Sequence, residues 1–597
     1  MTRKNLKVFC SLTAIAMAGS LYSFLYSPTA NAQESKEAET AASESDNKSN
    51  AAIDVKLEAV DQQLKDGSFE EARATLEKMV TELRGKEHIP QLLEVLERLS
   101  IAQRQLGDMY KAERTLKFAQ GMCKPKEDDK KEIARKARIL FLLSDVLDEG
   151  GQYKEAGYIV KQGMSTVRDL SVGGSLPYLE TELLNINARM LVTQGELNQA
   201  GELLNEALYM VKSLADEPSE FRLEASPVSS SKELLKAKIL ATKSLLNETE
   251  GKIKEGESSL KEAAQIFGSF EKFALKDPRY ASILYRFSKE RDSLEEKLTA
   301  SDALSKAAFL EVKAEELADK ADYKAAAATL EEAHKIQQSK LEPASAIIGN
   351  TLVKLAVYYL ELENYSKSVA CATKGYEILA RTVAETSPWI ARATATLAIA
   401  HLNQGVTSGV EPLLNHAWKI EAKRLGGDSP AVLDVLEAKS RLYLMLRDYK
   451  RAIQIGGPVT SRREVLYGPT SIELVPTLTT TGTAFAWLKQ SDKARLLLSR
   501  ARKILENNGR TKTPEYGEVL ASQGVNDSVQ YKWKEAKADF KKAILLYQEL
   551  FGNNHPKTTE VRRLYGAMYR RQSSVPGNKN VLTRTKFRPQ APDSFQQ

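Results

Sequence analysis

The sequence has little cysteine and few aromatic residues, and beyond residue 26 it has no long apolar run. Of 597 residues, three are cysteine and 7% are aromatic. Cys10 lies in the apolar N-terminal stretch, and Cys123 and Cys371 are far apart in the chain. We therefore expect two buried thiols rather than a disulfide framework. Nothing after Tyr26 is apolar enough in sequence to cross a membrane.

Motifs for catalysis and for metal or nucleotide binding are also missing. The five histidines form no H-x-x-x-H or H-E-x-x-H pair, and no C-x-x-C occurs, so the usual spacing of metal ligands is absent. The sequence has no G-x-S-x-G, no P-loop and no dinucleotide fingerprint. We expect no enzyme activity, no cofactor and no metal. An enzyme would need a hidden site in the irregular segment 277–320, which has no histidine or cysteine.

Neither sign of charge dominates. The chain has 86 basic and 79 acidic residues, for a net charge of +7. Three of these seven positive charges lie in residues 3–7, and the tail from residue 579 supplies a net three more. The sequence between the two ends is therefore close to neutral. Nucleic-acid binding usually needs a concentrated basic face, so we expect no nucleic-acid partner.

The N-terminus has the features of an export signal. A positive segment at 3–7 precedes an apolar run at 8–26, and Ala30-Asn31-Ala32 is an A-x-A cleavage site. This predicts a signal peptide over 1–32 and a periplasmic or secreted protein. The alternative is an uncleaved membrane anchor, because the apolar run is long for a signal core. Residues 33–52, rich in Ser, Glu and Ala, predict a disordered spacer.

The dominant feature of the sequence is a step of 42 residues in its C-terminal half. The step starts at Ala321, Glu363, Gly405, Arg447, Lys489 and Tyr531. Five and twelve residues after each start the side chain is nearly always small, and nine residues after it is usually bulky. A second marker keeps the same step, at Pro388, Pro430, Pro514 and Pro556. A fixed period of this length is typical of a repeat array.

The N-terminal half follows the same rule less regularly. Its starts are all glycine, at Gly67, Gly107, Gly151, Gly195 and Gly251. Glycine suits a tight link between helices because it accepts the left-handed conformation. An insertion at 216–231 interrupts the pattern. We predict an irregular array over 53–270 and an irregular helical connector over 271–304. The connector could instead be a domain boundary with a flexible hinge.

The pattern predicts two antiparallel helices per repeat, which bury their apolar faces only by stacking. The order of small and large residues resembles that of the tetratricopeptide repeat. The longer step, with LGGDSP (425–430) and FGNNHP (551–556) between pairs, resembles the kinesin-light-chain type. The resemblance implies an all-α fold, a right-handed superhelical solenoid of antiparallel helix pairs. The regular array would cover 305–571 and end in a capping helix, before a disordered basic tail at 572–597.

In the tetratricopeptide family the first helix of each pair lines a concave groove that binds peptides. The resemblance implies groove positions for a set of mostly polar residues. They are Asn185, Arg189, Arg392, Asn403, Glu437, Arg441, Thr479, Thr483, Trp487, Arg563 and Arg570. Arginine and asparagine offer several directed donors for a backbone or carboxylate, and Trp487 could anchor a ligand. The family's two-carboxylate clamp of lysine and asparagine is not reproduced.

The function hypothesis is an exported scaffold or adaptor that binds a protein or peptide ligand in the groove. The alternative is a structural component of the cell envelope that assembles through its outer face and ends, and this assembly could be a homo-oligomer. A membrane contact would follow only if the N-terminal apolar segment stays uncleaved.

Overall fold

The structure is a computed structural model, and it describes residues 52–64, 66–84, 89–126, 129–170, 176–214 and 231–574. Four predicted features lie outside the described residues: the signal peptide, nearly all of the spacer, most of the insertion and the tail from 575. The chain forms two compact units, Met1–Ala59 and Val60–Gln597. The described part of the first unit is helical over 52–59. All helices from residue 69 onward belong to the second unit.

All regular structure in the described ranges is helical, which confirms the all-α prediction. The helices before the connector are α1 (Phe69–Leu83), α2 (Ile89–Gln105), α3 (Met109–Met122), α4 (Lys130–Glu149), α5 (Tyr153–Leu170), α6 (Pro177–Gln194), α7 (Leu197–Ser213), α8 (Lys232–Thr249) and α9 (Ile253–Ser269). The connector contains α10 (Glu271–Ala274), α11 (Pro278–Phe287), α12 (Arg291–Glu296) and the 3-10 turn Ala300–Asp302.

The helices after the connector are similar in length to those before it. They are α13 (Ala303–Asp319), α14 (Tyr323–Lys340), α15 (Ala346–Glu361), α16 (Tyr365–Thr382), α17 (Pro388–Asn403), α18 (Val410–Leu425), α19 (Pro430–Met445), α20 (Tyr449–Tyr467), α21 (Val475–Trp487), α22 (Ser491–Asn507), α23 (Pro514–Val529), α24 (Trp533–Phe551) and α25 (Pro556–Ser573). A 3-10 turn, Ile472–Leu474, precedes α21.

The predicted start residues separate the two helices of each pair. Each pair thus has a first helix, a short turn and a second helix, and a link leads to the next pair. First helices also contact the first helices of neighbouring pairs, for example α4 with α6 and α15 with α17. This is the stacking of a solenoid, in which each pair completes its core against its neighbours.

The repeat positions of the sequence form the core between the helices. In the six C-terminal pairs, every residue five, nine and twelve places after the start is buried. Ala326, Leu330 and Ala333 of α14, for example, are all fully inaccessible to solvent. In the N-terminal pairs the residues at these positions are also buried, except for Leu260, which is half-buried. The small residues let the helices approach closely, and the bulky one fills the space between them.

The recurring prolines mark the starts of first helices. Pro388, Pro430 and Pro556 occupy the first turn of α17, α19 and α25, where a missing N–H costs nothing. The residue before each accepts a hydrogen bond from an exposed backbone N–H. Ser387 accepts one from the N–H of Trp389 in this way. Such caps stabilise a helix by about 1 kcal/mol, and they fix where each link ends.

First and second helices differ in how much surface they expose. In α4 every residue over 139–149 is buried except Asp145, which is half-buried. Second helices such as α7 instead bury one stripe and expose the opposite face, where the Tyr209 side chain is 75% exposed. The first helices are therefore enclosed by neighbours on nearly all sides over much of the unit.

The turns of early pairs support the links of much later ones. These contacts join Gly107 to Ser301, Gly151 to Ala346, Gly195 to Thr386, Gly251 to Leu425 and Glu363 to Lys557. The hydroxyl of Thr386 donates to the carbonyl oxygen of Gln194, at 2.7 Å and 192 residues away in sequence. The Lys557 ammonium lies 2.8 Å from the Glu363 carboxylate. The array thus winds back on itself through a repeated turn-to-link contact.

Two glycines with the same backbone conformation allow this contact to be tested. Gly195 and Gly405 both have φ of 83°, a left-handed conformation that costs a side chain about 1–2 kcal/mol. A Cβ at Gly195 would lie 2.6 Å from the carbonyl oxygen of Thr386, whereas nothing lies within 4 Å at Gly405. We expect Gly195→Ala to lose about 1–3 kcal/mol more than Gly405→Ala in chemical denaturation, because only Gly195 meets a backbone atom. Equal losses would show that this contact does not form in solution.

Candidate binding surface and buried charge network

Some of the predicted groove residues contact each other between neighbouring first helices. A guanidinium nitrogen of Arg441 in α19 donates to the amide oxygen of Asn403 in α17, at 2.7 Å. The hydroxyls of Thr483 in α21 and Ser522 in α23 lie 2.8 Å apart. Arg189 in α6 pairs with Asp148 at 3.2 Å. These side chains stabilise the stacking of first helices.

Other predicted groove residues are enclosed. Asn185 is 4% exposed and Thr479 is 3% exposed, and the Thr479 hydroxyl donates to the carbonyl oxygen of Val475 in its own helix. Trp487 is half-buried, and its ring stacks on that of Tyr449 with centroids 6.1 Å apart. The structure therefore places these three residues within the packing between helices.

Three predicted arginines lie at the surface. Arg392 of α17 is exposed, and so are Arg563 and Arg570 of α25. Arg563 makes a two-point ion pair with Glu560 one turn earlier, with both distances 2.7 Å. An exposed pair of this kind contributes at most about 1 kcal/mol to stability. Arg392 and Arg570 show no ion pair within the described part of the chain, so both keep their charge available.

Glu437 is the most unusual of the predicted residues electrostatically. It is half-buried in α19, and burial raises the pKa of its carboxyl. Arg441 and Arg463 oppose this shift, while the like charges of Glu518 in α23 and Asp434 add to it. Arg463 is already paired with Asp434 at 2.6 Å. Within the described residues, Glu437 therefore makes no ion pair, although the charge of Arg441 acts on it.

A second cluster, which we call the buried charge network, joins three first helices to the connector. Arg104 of α2 contacts Asp145 at 2.7 Å and Glu149 at 2.6 Å, both in α4. Arg279 of α11 contacts Asp145 at 2.8 Å and Asp148 and Asp277 at 2.5 Å each. Arg189 of α6 completes the network at Asp148. Four carboxylates thus surround three guanidinium groups, which leaves one negative charge in surplus.

The surplus negative charge affects the pKa values of the carboxyls in the network. Burial raises the pKa of Glu149 to about 7, with Asp277 and Asp145 adding to the shift and Arg104 and Arg279 opposing it. Burial also favours a higher pKa for Asp145, but Arg104 and Arg279 outweigh it and lower the pKa of this carboxyl below the usual range. Asp277 also caps α11, since its carboxylate accepts the N–H of Arg279 at 3.0 Å. The network therefore fixes the position of the connector.

Of the residues in the buried charge network, only Arg189 is among those predicted from the sequence, and it is predicted as a groove residue. Asp277-Pro278 is a visible signal, because Asp before Pro is typical of a helix start. This local signal does not predict that Asp277 pairs with Arg104, because the two residues are 173 positions apart in the chain. A search for histidine and cysteine patterns does not find the network either, because the network contains only carboxylates and guanidinium groups.

No group of three or more metal-binding side chains occurs among the described residues. Cys123 is buried and Cys371 half-buried, and both are free thiols. Burial raises the pKa of each thiol, which disfavours the reactive thiolate. In the same part of the chain, no helix is long and apolar enough to cross a membrane. The predicted leader lies outside it.

The fold and this surface define an all-α helical-repeat solenoid. The family model of the tetratricopeptide repeat matches residues 528–557, which run from the end of α23 through α24 to the start of α25. This segment of the chain therefore matches a tetratricopeptide repeat, and the 42-residue step of the C-terminal half resembles the kinesin-light-chain type of that repeat. No curated protein matches the chain.

Several solved structures have similar helical repeats. One contains the TPR-like repeats assigned to a kinesin light chain of Podosopora anserina and is 17% identical in sequence. The match covers 35% of this chain and 96% of that chain, with a TM-score of 0.28. BtubC (BKLC) of P. vanneervenii is similar at 15% identity, with 43% and 94% covered and a TM-score of 0.28. A Rap protein in complex with competence and sporulation factor is similar at 12% identity, with 66% and 99% covered and a TM-score of 0.35.

Proposed function

We propose that this chain is an exported, non-enzymatic scaffold that binds a protein or peptide segment along its C-terminal first helices. The surface consists of Arg392 and Asn403 in α17, Glu437 and Arg441 in α19, and Glu518 in α23, and we call it the first-helix surface. The observation that carries the proposal is the raised pKa of Glu437 beside a second carboxylate. A half-buried acid that makes no ion pair is stabilised when a ligand supplies a cation.

The chemistry of the first-helix surface limits the ligand. Arg392 is exposed, and Arg441 uses one donor on Asn403, so both can bind carbonyl oxygens or a carboxylate. Glu437 and Glu518 favour a lysine, an arginine or a backbone N–H. Together these groups suit an extended segment that carries at least one basic side chain. A nucleic acid would be repelled by the two carboxylates.

Export is part of the proposal and rests on the N-terminal sequence. Positive residues, an apolar run and Ala30-Asn31-Ala32 occur in the order that a signal peptidase requires. Cell fractionation of the native host should recover the chain outside the cytoplasm with Gln33 at its N-terminus. A chain that keeps its leader and stays with the membrane would support the anchored alternative. A cytoplasmic chain would contradict export.

The binding proposal is tested in the native host with a photo-crosslinking amino acid in place of Arg392. The cross-linked partner is identified by mass spectrometry, and its affinity for the purified chain is then measured by titration calorimetry. We expect Arg441→Glu and Glu437→Lys to weaken binding at least tenfold, because each reverses a charge on the first-helix surface. Such a loss corresponds to about 1.4 kcal/mol or more.

Lys503→Glu is the matched control, since it reverses an exposed charge on second helix α22. It should leave the affinity unchanged. Circular dichroism should show that all three variants stay folded. A partner that binds all three variants and the original chain equally would contradict the location of the site. The absence of any partner cross-linked at Arg392 would contradict the scaffold function.

A further inference from the structure

We propose that the turns Gly405, Arg447, Lys489 and Tyr531 bind the links of a second copy of this chain, so that copies assemble head to tail. We call these four turns the open turn row. They belong to the four successive pairs α17/α18, α19/α20, α21/α22 and α23/α24. Five earlier turns of the same design are covered by links from later in the chain, whereas the described residues place no link on these four. The covered turns are Gly107, Gly151, Gly195, Gly251 and Glu363.

The contact to be reproduced is already formed several times inside the chain. The carbonyl oxygen of Gly151 accepts the N–H of Ala346 at 3.0 Å, and that of Gln194 accepts the Thr386 hydroxyl at 2.7 Å. At the last covered turn, Glu363 pairs with Lys557. In each case the link that covers the turn is the one that leads into a first helix. The partner of an open turn is therefore defined chemically as the capped start of such a helix.

The open turn row exposes apolar and basic groups. Val406 is 39% exposed, Leu446 49% and Tyr531 62%. Arg447 and Lys489 are exposed beside them. Large side chains exposed at turn after turn in one row mark an interaction surface more often than scattered ones do. At Gly405 the space that a link fills at Gly195 is empty.

A second copy has the complementary edge. Within the described residues, the links that reach a turn all follow residue 300, and the capped start of α4 at Asp129 contacts no turn. Asp129 caps α4 as Ser345 caps α15, by accepting backbone N–H groups, and it is exposed. Its negative charge complements Arg447 and Lys489. The interface continues one that the fold already uses, which favours a copy of this chain over an unrelated partner.

The geometry has a consequence for the kind of assembly. The turn edge of one copy meets the link edge of the next, so the two surfaces are different and the contact is heterologous. Such contacts leave one free edge at each end and produce open chains rather than closed dimers. A variant with a damaged open turn row still has an intact link edge. It should therefore bind to the end of a growing chain and stop its growth.

The test is sedimentation velocity of the chain without its predicted leader over a wide concentration range. We expect oligomers that grow with concentration, and an association constant at least tenfold lower for the double variant Leu446→Glu and Tyr531→Glu. The matched control is Tyr209→Glu and Leu496→Glu, which changes two side chains of similar exposure, 75% and 70%, on second helices. It should associate like the original chain. Equal melting temperatures would show that both double variants are folded.

Mixing provides the second measurement. Adding the double variant to labelled original chain should shorten the oligomers, because the variant ends each chain that it joins. A monomer at every concentration would overturn the proposal. Association that survives the double variant, or that the control removes equally, would overturn it as well. The proposal would also be overturned if a chain that ends at residue 574 associates while the full chain does not. That result would mean that the tail of the same chain covers the open turn row.

Discussion

Arg279→Met is expected to destabilise the protein by about 3–5 kcal/mol, a large effect for a single substitution. The side chain of Arg279 is 8% exposed and contacts Asp145, Asp148 and Asp277. Methionine fills much of the same volume but leaves these carboxylates with only Arg104 and Arg189. Uncompensated charge in a buried site costs more free energy than the ion pairs themselves contribute.

The same helix offers a matched control. Arg286 lies two turns after Arg279 in α11, is 46% exposed and pairs with Glu315 at 2.7 Å. Arg286→Met should cost less than about 1 kcal/mol. Chemical denaturation would measure both values, and hydrogen exchange within α11 would show whether the connector loosens first. Similar losses for the two variants would mean that the network does not carry the stability of the connector.

The second large effect is a dependence of stability on pH through Glu149. Its pKa is about 7 in the folded chain, against a usual 4.5. A raised acid pKa means that the folded state binds the proton more tightly than the unfolded state does. The stabilising contribution is therefore complete below pH 4.5 and is lost as the pH rises to 7. For a shift of this size the loss is on the order of 3 kcal/mol.

Glu149→Gln isolates this effect because glutamine resembles the protonated acid. The groups that face the carboxyl are Arg104, Asp145, Asp277 and Arg279, and they stay in place. The free energy of unfolding of the variant minus that of the original chain should increase between pH 4.5 and 7 and then level off. Contributions from histidines and other groups cancel in this difference.

Glu506→Gln is the control for the pH experiment. A hydrogen bond from Arg502 lowers the pKa of Glu506, so this carboxyl is ionised in both folded and unfolded chains above pH 5. Its difference curve should be flat between pH 5 and 7. A flat curve for Glu149→Gln as well would show that Glu149 is ionised at neutral pH in the folded chain and that the network tolerates its surplus charge.

The two experiments also separate local from global unfolding. A solenoid is stabilised by contacts between neighbouring pairs, so part of it can open while the rest stays folded. The buried charge network joins α2, α4, α6 and α11 and thus connects four elements at once. If Glu149 loses its proton, hydrogen exchange should increase first in α11, because Asp277 both caps this helix and faces Glu149.

The candidate binding surface is only partly predictable from sequence. Counting back from the turns assigns Arg392, Asn403 and Arg441 to first helices, and the structure places them in α17 and α19. Counting cannot show that Thr479 and Asn185 are enclosed, since enclosure depends on which helices lie on the other side. Glu518 is not among the predicted residues, although it lies on a first helix, because a single carboxylate in a highly charged chain carries no distinctive signal.

The sequence by itself determined the helix pairs and their order. The turn conformation and the small and bulky positions in α14 or α24 depend on neighbours within a few dozen residues, and a repeated local pattern preserves that information. The tertiary structure decided how far the array winds back on itself. Contacts such as Thr386 with Gln194 or Arg279 with Asp148 join residues more than a hundred positions apart. They depend on small angles summed over several pairs, which the pattern of any single repeat does not encode.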